Sequence, residues 1–188
     1  MKLTNKNVLF AIGLVVIASL SRLFPILPNF QPLLAIAVFS GIIFSSNSKI
    51  SYLVPFGAIL ISDIMLHFFS ELTLGYYAGF HSSMFSVYLS LALIVFFSKS
   101  INKELKYLNI LGTSLLSAIL FFLITNFSYW LFGLDIMNMP YSKDFSGLIR
   151  CYTEAVPFFR YTVGSVLLYS FILFGVYLPI NKTILSKA

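Results

Sequence analysis

The sequence predicts an all-α membrane protein: one integral membrane domain, a bundle of six transmembrane helices with both termini cytoplasmic. Three observations carry this expectation. The 188 residues are 59% hydrophobic and 10% charged, with mean hydropathy +0.95, whereas a soluble domain carries roughly a quarter charged residues. The apolar residues gather into six runs, about 8–24, 32–46, 51–69, 82–98, 108–132 and 158–179, and ~20 helical residues cross a hydrocarbon core of ~30 Å. Finally, eight of the nine lysines fall in alternate connections. Cytoplasmic loops retain Lys and Arg, so this asymmetry orients the bundle in its membrane, with both termini inside.

The elements follow in chain order. Lys2 and Lys6 precede the first span, and Ala18-Ser-Leu-Ser21 imitates a signal-peptide cleavage site, but a poor one with five more spans behind it. The connection Arg22 to Pro32 holds prolines 25, 28 and 32, which cannot continue a helical ladder, so an ordered, extended crossing is expected there. The second span is short, about 15 residues, and is expected to be tilted, buried by its neighbours or broken. Ser46 to Lys49 and Lys99 to Lys106 are short, polar and basic, as cytoplasmic turns should be. The longest connection, Gly133 to Pro157, is expected to form a lid across the outer mouth, with Asp144 capping a short helix that ends before Pro157.

Charge also locates the chemistry. The inner side holds eight lysines against Glu104, or +7. The remainder sets Arg22, Lys143, Arg150 and Arg160 against Asp63, Glu71, Asp135, Asp144 and Glu154, or −1. The net charge of +6 is therefore topology and contact with membrane lipids, not a nucleic-acid footprint. Cys151 stands alone, so no internal disulfide forms. No Gly-x-x-x-x-Gly-Lys-Ser/Thr loop is present to bind ATP, and neither His-Glu-x-x-His nor Cys-x-x-Cys occurs. No metal ligand, cofactor or catalytic residue is assigned.

Asp63 is the strongest single residue. A carboxylate at membrane depth costs several kcal/mol unless paired or wet, so it marks either a functional site or an ion pair with Arg22 or Arg160. His67 lies one turn outward on the same face, or is an interfacial histidine. Asn126 and Trp130 repeat the spacing on the fifth span, lining the same cavity or acting as interhelical glue and aromatic-belt anchor. Arg22, Asn29 and Arg160 are placed at the rim, the arginines otherwise snorkelling to the interface. Arg150 and Glu154 sit at i, i+4 on the expected lid.

Arg22-Leu-Phe-Pro, Pro28-Asn-Phe-Gln-Pro32, Ala35-Ile-Ala-Val-Phe-Ser-Gly41 and Pro55 to Ser62-Asp63 resemble an uncharacterised family of bacterial membrane proteins. Gly147-Leu-Ile-Arg-Cys-Tyr and Ala155-Val-Pro-Phe-Phe-Arg160 look like its second signature. That family is in turn similar to the S components, the substrate-capture subunits, of energy-coupling-factor (ECF) vitamin transporters. The resemblance implies a six-helix, S-component-like fold, an outer pocket closed by loops, and capture of a vitamin-like small-molecule nutrient. It also implies a transmembrane energy-coupling scaffold and two cytoplasmic ATPases as partners. One feature departs: the first helix has Ala11, Gly13 and Ala18 but no Ala-x-x-x-Ala docking pair, and Ala37-x-x-x-Gly41 in the second is the nearest substitute.

The expected function is therefore non-enzymatic substrate binding for uptake. The pocket residues are Arg22, Asn29, Asp63, His67, Asn126, Trp130, Arg150, Glu154 and Arg160. A non-catalytic subunit of a larger membrane complex is the alternative. An intramembrane lipid-modifying enzyme, drawing acid–base groups from Asp63, His67, His81 and Glu154, is a further one.

Overall fold

The computed structural model of the chain describes residues 5–25, 27–80, 84–100 and 107–185, with side chains described for those that fall within 9–179. Lys2, Lys103, Lys106, Lys187, Glu104 and His81 lie outside the described residues, and of Lys6 and Lys182 only the backbone is described. Six helices follow in order: α1 (Asn5–Leu23), α2 (Leu33–Ile43), α3 (Ser48–Leu74), α4 (Met84–Ser100), α5 (Tyr107–Phe132) and α6 (Phe145–Leu185). Three of them, α3, α5 and the Phe145–Pro179 part of α6, are long and apolar enough to cross a membrane. The chain is a helical membrane protein.

Helix α2 is the axle of the bundle. It packs against all five other helices, which lie around it in the order α1, α3, α4, α5, α6. The α1 and α6 sides of this ring meet through side chains, with the Phe10 and Tyr177 rings 5.5 Å apart. The sequence explains the placement: Leu-Leu-Ala-Ile-Ala-Val-Phe-Ser-Gly-Ile-Ile is apolar or small on every face, which suits a helix surrounded by protein. Residues 35–40 are wholly buried. Phe39 fills the centre, its ring against Phe10, Phe44, Phe174 and Tyr177.

At 11 residues, α2 is about 16 Å long, half the hydrocarbon thickness. The short second span is thus a buried helix rather than a full-length one. Its ends obey the rule that non-helical backbone at membrane depth must be satisfied by protein. Ile36 N–H donates to Pro32 O at 2.9 Å, Phe44 N–H to Ser40 O at 3.0 Å, and the Ser51 hydroxyl to Phe44 O at 2.6 Å. A Cβ on Gly41 would lie 2.5 Å from Ser98 Cβ and 2.9 Å from Val95 O. Ala37 and Gly41 therefore serve the interior, Gly41 in the α2–α4 seam, and present no docking face. That corrects the expectation that they substitute for a scaffold-binding pair.

Helix boundaries have local causes. Asn47 caps α3 by accepting from Ile50 N–H, and Gly75 closes it in the left-handed region at φ 78°. Asp144 caps α6 as expected, accepting from Gly147 N–H at 2.8 Å. The helix it starts does not end before Pro157. It runs for 41 residues through Pro157 and Pro179, so the expected separate lid is the first turns of α6. Pro157 is exposed and costs one ladder bond, while Tyr152 and Cys151 fasten this stretch to α5. The described residues of the α1–α2 connection, 24–25 and 27–32, are non-helical, but 27–30 are turned rather than extended: Phe30 N–H donates to Leu27 O and Asn29 adopts φ 58°.

Candidate functional site

The described lysines Lys49 and Lys99 lie at one end of the bundle, where Lys99 Nζ reaches Ser48 Oγ at 2.5 Å and covers the Tyr52 ring. The other lysine with a described side chain, Lys143, and the three arginines, carried by α1 and α6, lie toward the other, and the site is built there. Arg22, in the last turn of α1, reaches across to α3 and donates through Nη1 to Asp63 Oδ1 and to Ser62 Oγ. Tyr88 of α4 donates to Asp63 Oδ2 at 2.8 Å. Both carboxylate oxygens are thus engaged. Asp63 is 2% exposed and Arg22 16%, so the pair is buried and charge-compensated, as a carboxylate at this depth requires. Of the two partners expected for Asp63, Arg22 is the one used.

Above the pair lies a cavity of about 250 Å³ lined by Arg22, Pro25, Leu27, Asn29, Phe30, Gln31, Leu66, Leu74, Tyr76 and Ala78. Pro25, Leu27 and residues 29–31 form one wall, and the end of α3 with the turn after it forms the other. Nη1 is the guanidinium nitrogen that Arg22 commits to the described residues. The side-chain amides of Asn29 and Gln31 and the Tyr76 hydroxyl make no hydrogen bond to the described residues. The Asn29 backbone is tied to α6, its carbonyl accepting from Ser165 Oγ at 3.5 Å.

A second polar cluster ties the 133–144 connection to the start of α6. Asp135 accepts from Met137 and Met139 N–H at 2.8 and 2.9 Å and from Arg150 Nη2 at 2.8 Å. The Met139 N–H, then that of Met137 and the Arg150 charge, hold its carboxyl below the usual range, partly offset by burial. Arg150 Nε donates to Glu154 at 2.9 Å, and Glu154 accepts from Tyr141 at 2.6 Å. Burial first, then that bond, pushes the Tyr141 phenol up. Trp130 Nε1 donates to Ser142 O at 2.9 Å, and Lys143 reaches back to Trp130 O. Asp144 is held below its usual value by Gly147 N–H and by Ser146 and Ser142.

The family model for a family of unknown function, DUF6580, matches residues 2–186. The chain belongs to the DUF6580 family. No curated protein and no solved structure matches it.

The structure brings the expected residues of this DUF6580 chain together in two groups, not one. Arg22, Asn29 and Asp63 meet around the cavity, while Trp130, Arg150 and Glu154 belong to the α5–α6 cluster. The backbones of α3 and α5 are not neighbours, and Asp63 and Asn126 take their partners in different seams, so the single hollow expected from their matched depth is not formed. Asn126 satisfies its amide on its own helix, donating to Phe122 O at 2.7 Å. His67 is exposed and bonds Tyr77 at 2.9 Å beside Phe80. Arg160 is exposed, donating to the Tyr161 hydroxyl and lying over its ring, so it does not rim the cavity.

Gln31, Ser62, Tyr76 and Tyr88 were not singled out from sequence. Ser62 sits beside Asp63, but an i, i+1 neighbour is a poor guide to side-chain contact. Tyr88 carries no spacing signal, because its partner is 25 residues away on another helix. Among the described residues, no group of three or more His, Cys, Asp or Glu side chains is placed to hold a metal.

Proposed function

We propose that this protein is a membrane-embedded binding subunit that captures a small polar solute at the Arg22 end of the bundle, in the manner of an ECF S component. The observation that carries the reading is the cavity. Four polar side chains with uncommitted hydrogen-bonding capacity line it beside a buried ion pair, so a solute there meets several converging polar groups as well as apolar walls. At about 250 Å³, it lies just below the ~300–1,000 Å³ typical of ligand pockets, which points to a small solute.

In this reading the chain crosses a bacterial plasma membrane six times, the short α2 sheathed by protein and its flanking segments completing the second passage, with both termini cytoplasmic and the cavity opening outward. The segregation of Lys49 and Lys99 from the arginine end supports that orientation. The chain has no P-loop, so uptake against a gradient would draw energy from a scaffold and ATPases supplied by partners. Binding is favoured over lipid chemistry because Asp63, His67 and Glu154 lie in three separate places, each with its own partner.

Native mass spectrometry of the gently purified chain tests the proposal. A small-molecule adduct released at mild activation is the expected result. Recovery of the apo mass alone, from membranes of cells that produce the chain, would overturn it.

A further inference from the structure

Among the described residues, two arginines are bound by carboxylates, and they differ in one respect. Arg150 commits two of its nitrogens, Nη2 to Asp135 and Nε to Glu154, so two carboxylates share one planar fork. Arg22 commits one nitrogen: its Nη1 serves Asp63 and Ser62, and Arg22 is among the residues that line the cavity. A guanidinium presents five N–H donors in a fixed plane, and an edge not used by protein matches a carboxylate in a two-point bond.

We infer that the solute taken by this cavity carries a carboxylate, which binds the open edge of Arg22 opposite Asp63. This rests on the solute-binding reading above and names its ligand class. Charge is consistent with it: Arg22 and Asp63 cancel, so an arriving monoanion meets no net repulsion and reproduces the carboxylate–Arg–carboxylate arrangement already present at Arg150. Asn29 and Gln31 supply amide N–H groups to the remaining lone pairs, and Phe30 and Tyr76 supply flat walls. Asp63 is then a positioning residue. It fixes the guanidinium plane through Nη1 and is itself fixed by Tyr88, so its own oxygens are closed to the solute.

The probe is benzoate, with benzamide as its neutral isostere, observed by saturation-transfer NMR on the purified chain in phosphatidylcholine nanodiscs. Benzoate is expected to bind and benzamide to bind roughly tenfold more weakly or not at all, the ratio for losing a charge-assisted hydrogen bond. Arg22→Lys, which keeps the charge but not the fork, is expected to lose the preference. Gln31→Leu, in the wall and away from the ion pair, is expected to weaken benzoate while leaving the fold intact, and so reads the site even if Arg22→Lys does not fold. Equal binding of the two probes, or a preference unchanged in Arg22→Lys, overturns the carboxylate inference while leaving solute binding in place. Binding of neither probe overturns the inference, and solute capture itself then stands or falls on the native mass measurement. Loss of benzoate binding in phosphatidylglycerol nanodiscs at matched ionic strength would assign the Arg22 edge to a lipid headgroup and overturn the solute.

Discussion

The Arg22–Asp63 pair should behave as one energetic unit, and a double-mutant cycle measures it. Asp63 is 2% exposed and Arg22 16%, so each charge has lost most of its water. Arg22→Met leaves the Asp63 carboxylate buried with Tyr88 as its remaining described donor, and an uncompensated buried charge costs about 3–5 kcal/mol. Asp63→Asn leaves one acceptor oxygen where Arg22 and Tyr88 used two, and strands the Arg22 charge, a loss again of about 3–5 kcal/mol. The double variant strands no charge, so it should be more stable than the sum of the singles by about 2 kcal/mol. Unfolding of the four proteins in mixed micelles, followed by circular dichroism, gives the coupling. A neutral interhelical hydrogen bond in a membrane is worth about 0.6 kcal/mol. A coupling no larger than that would refute a buried ion pair as the organiser of this end of the bundle.

Three further outcomes follow from the packing and the connections. Gly147→Ala would set a Cβ 2.1 Å from the Ser142 carbonyl oxygen that accepts from Trp130. It should displace that carbonyl and change the emission of the sole tryptophan, whereas Gly112→Ala, with nothing within 4 Å, should leave the spectrum unchanged. Gly41→Ala should force α2 from α4 and destabilise by about 1–3 kcal/mol, the usual cost of overpacking, while Gly57→Ala, in open space, should not. The carboxyls of Asp135 and Asp144 are depressed in the folded chain. Their stabilisation is therefore present above the ordinary carboxylate pKa of about 4 and lost as pH falls through the lower folded values. Melting temperature should drop on acidification below about pH 4, and less steeply in Asp135→Asn and Asp144→Asn.

Periodicity and charge made much of the helical layout readable, because burial and the absence of water act on every residue of a span. The shortness of the second span was visible, and its cause, complete enclosure by five helices, agrees with the apolar faces of residues 33–43. Pro157 misled because proline breaks helices in water, whereas a bundle in lipid supplies packing on either side of the lost bond. Asp144 and the Arg150–Glu154 pair were legible since capping and i, i+4 contacts are local.

The site was half legible. Matched depth suggested that Asp63 and Asn126 face each other, but depth along an axis carries no information about which neighbours a helix has around it. That arrangement depends on α2 standing between the α1–α3 and α5–α6 sides. Tyr88 was invisible for the same reason, and Gln31 and Tyr76 because they lie in connections whose path no periodicity fixes.

The most direct test of solute capture at the Arg22 cavity is retention of the co-purifying molecule in two variants compared by native mass spectrometry. Arg22→Lys should lose the adduct and Asn126→Ala should keep it at the wild-type fraction. Retention in Arg22→Lys with loss in Asn126→Ala would place the ligand between α5 and α6 and contradict the account.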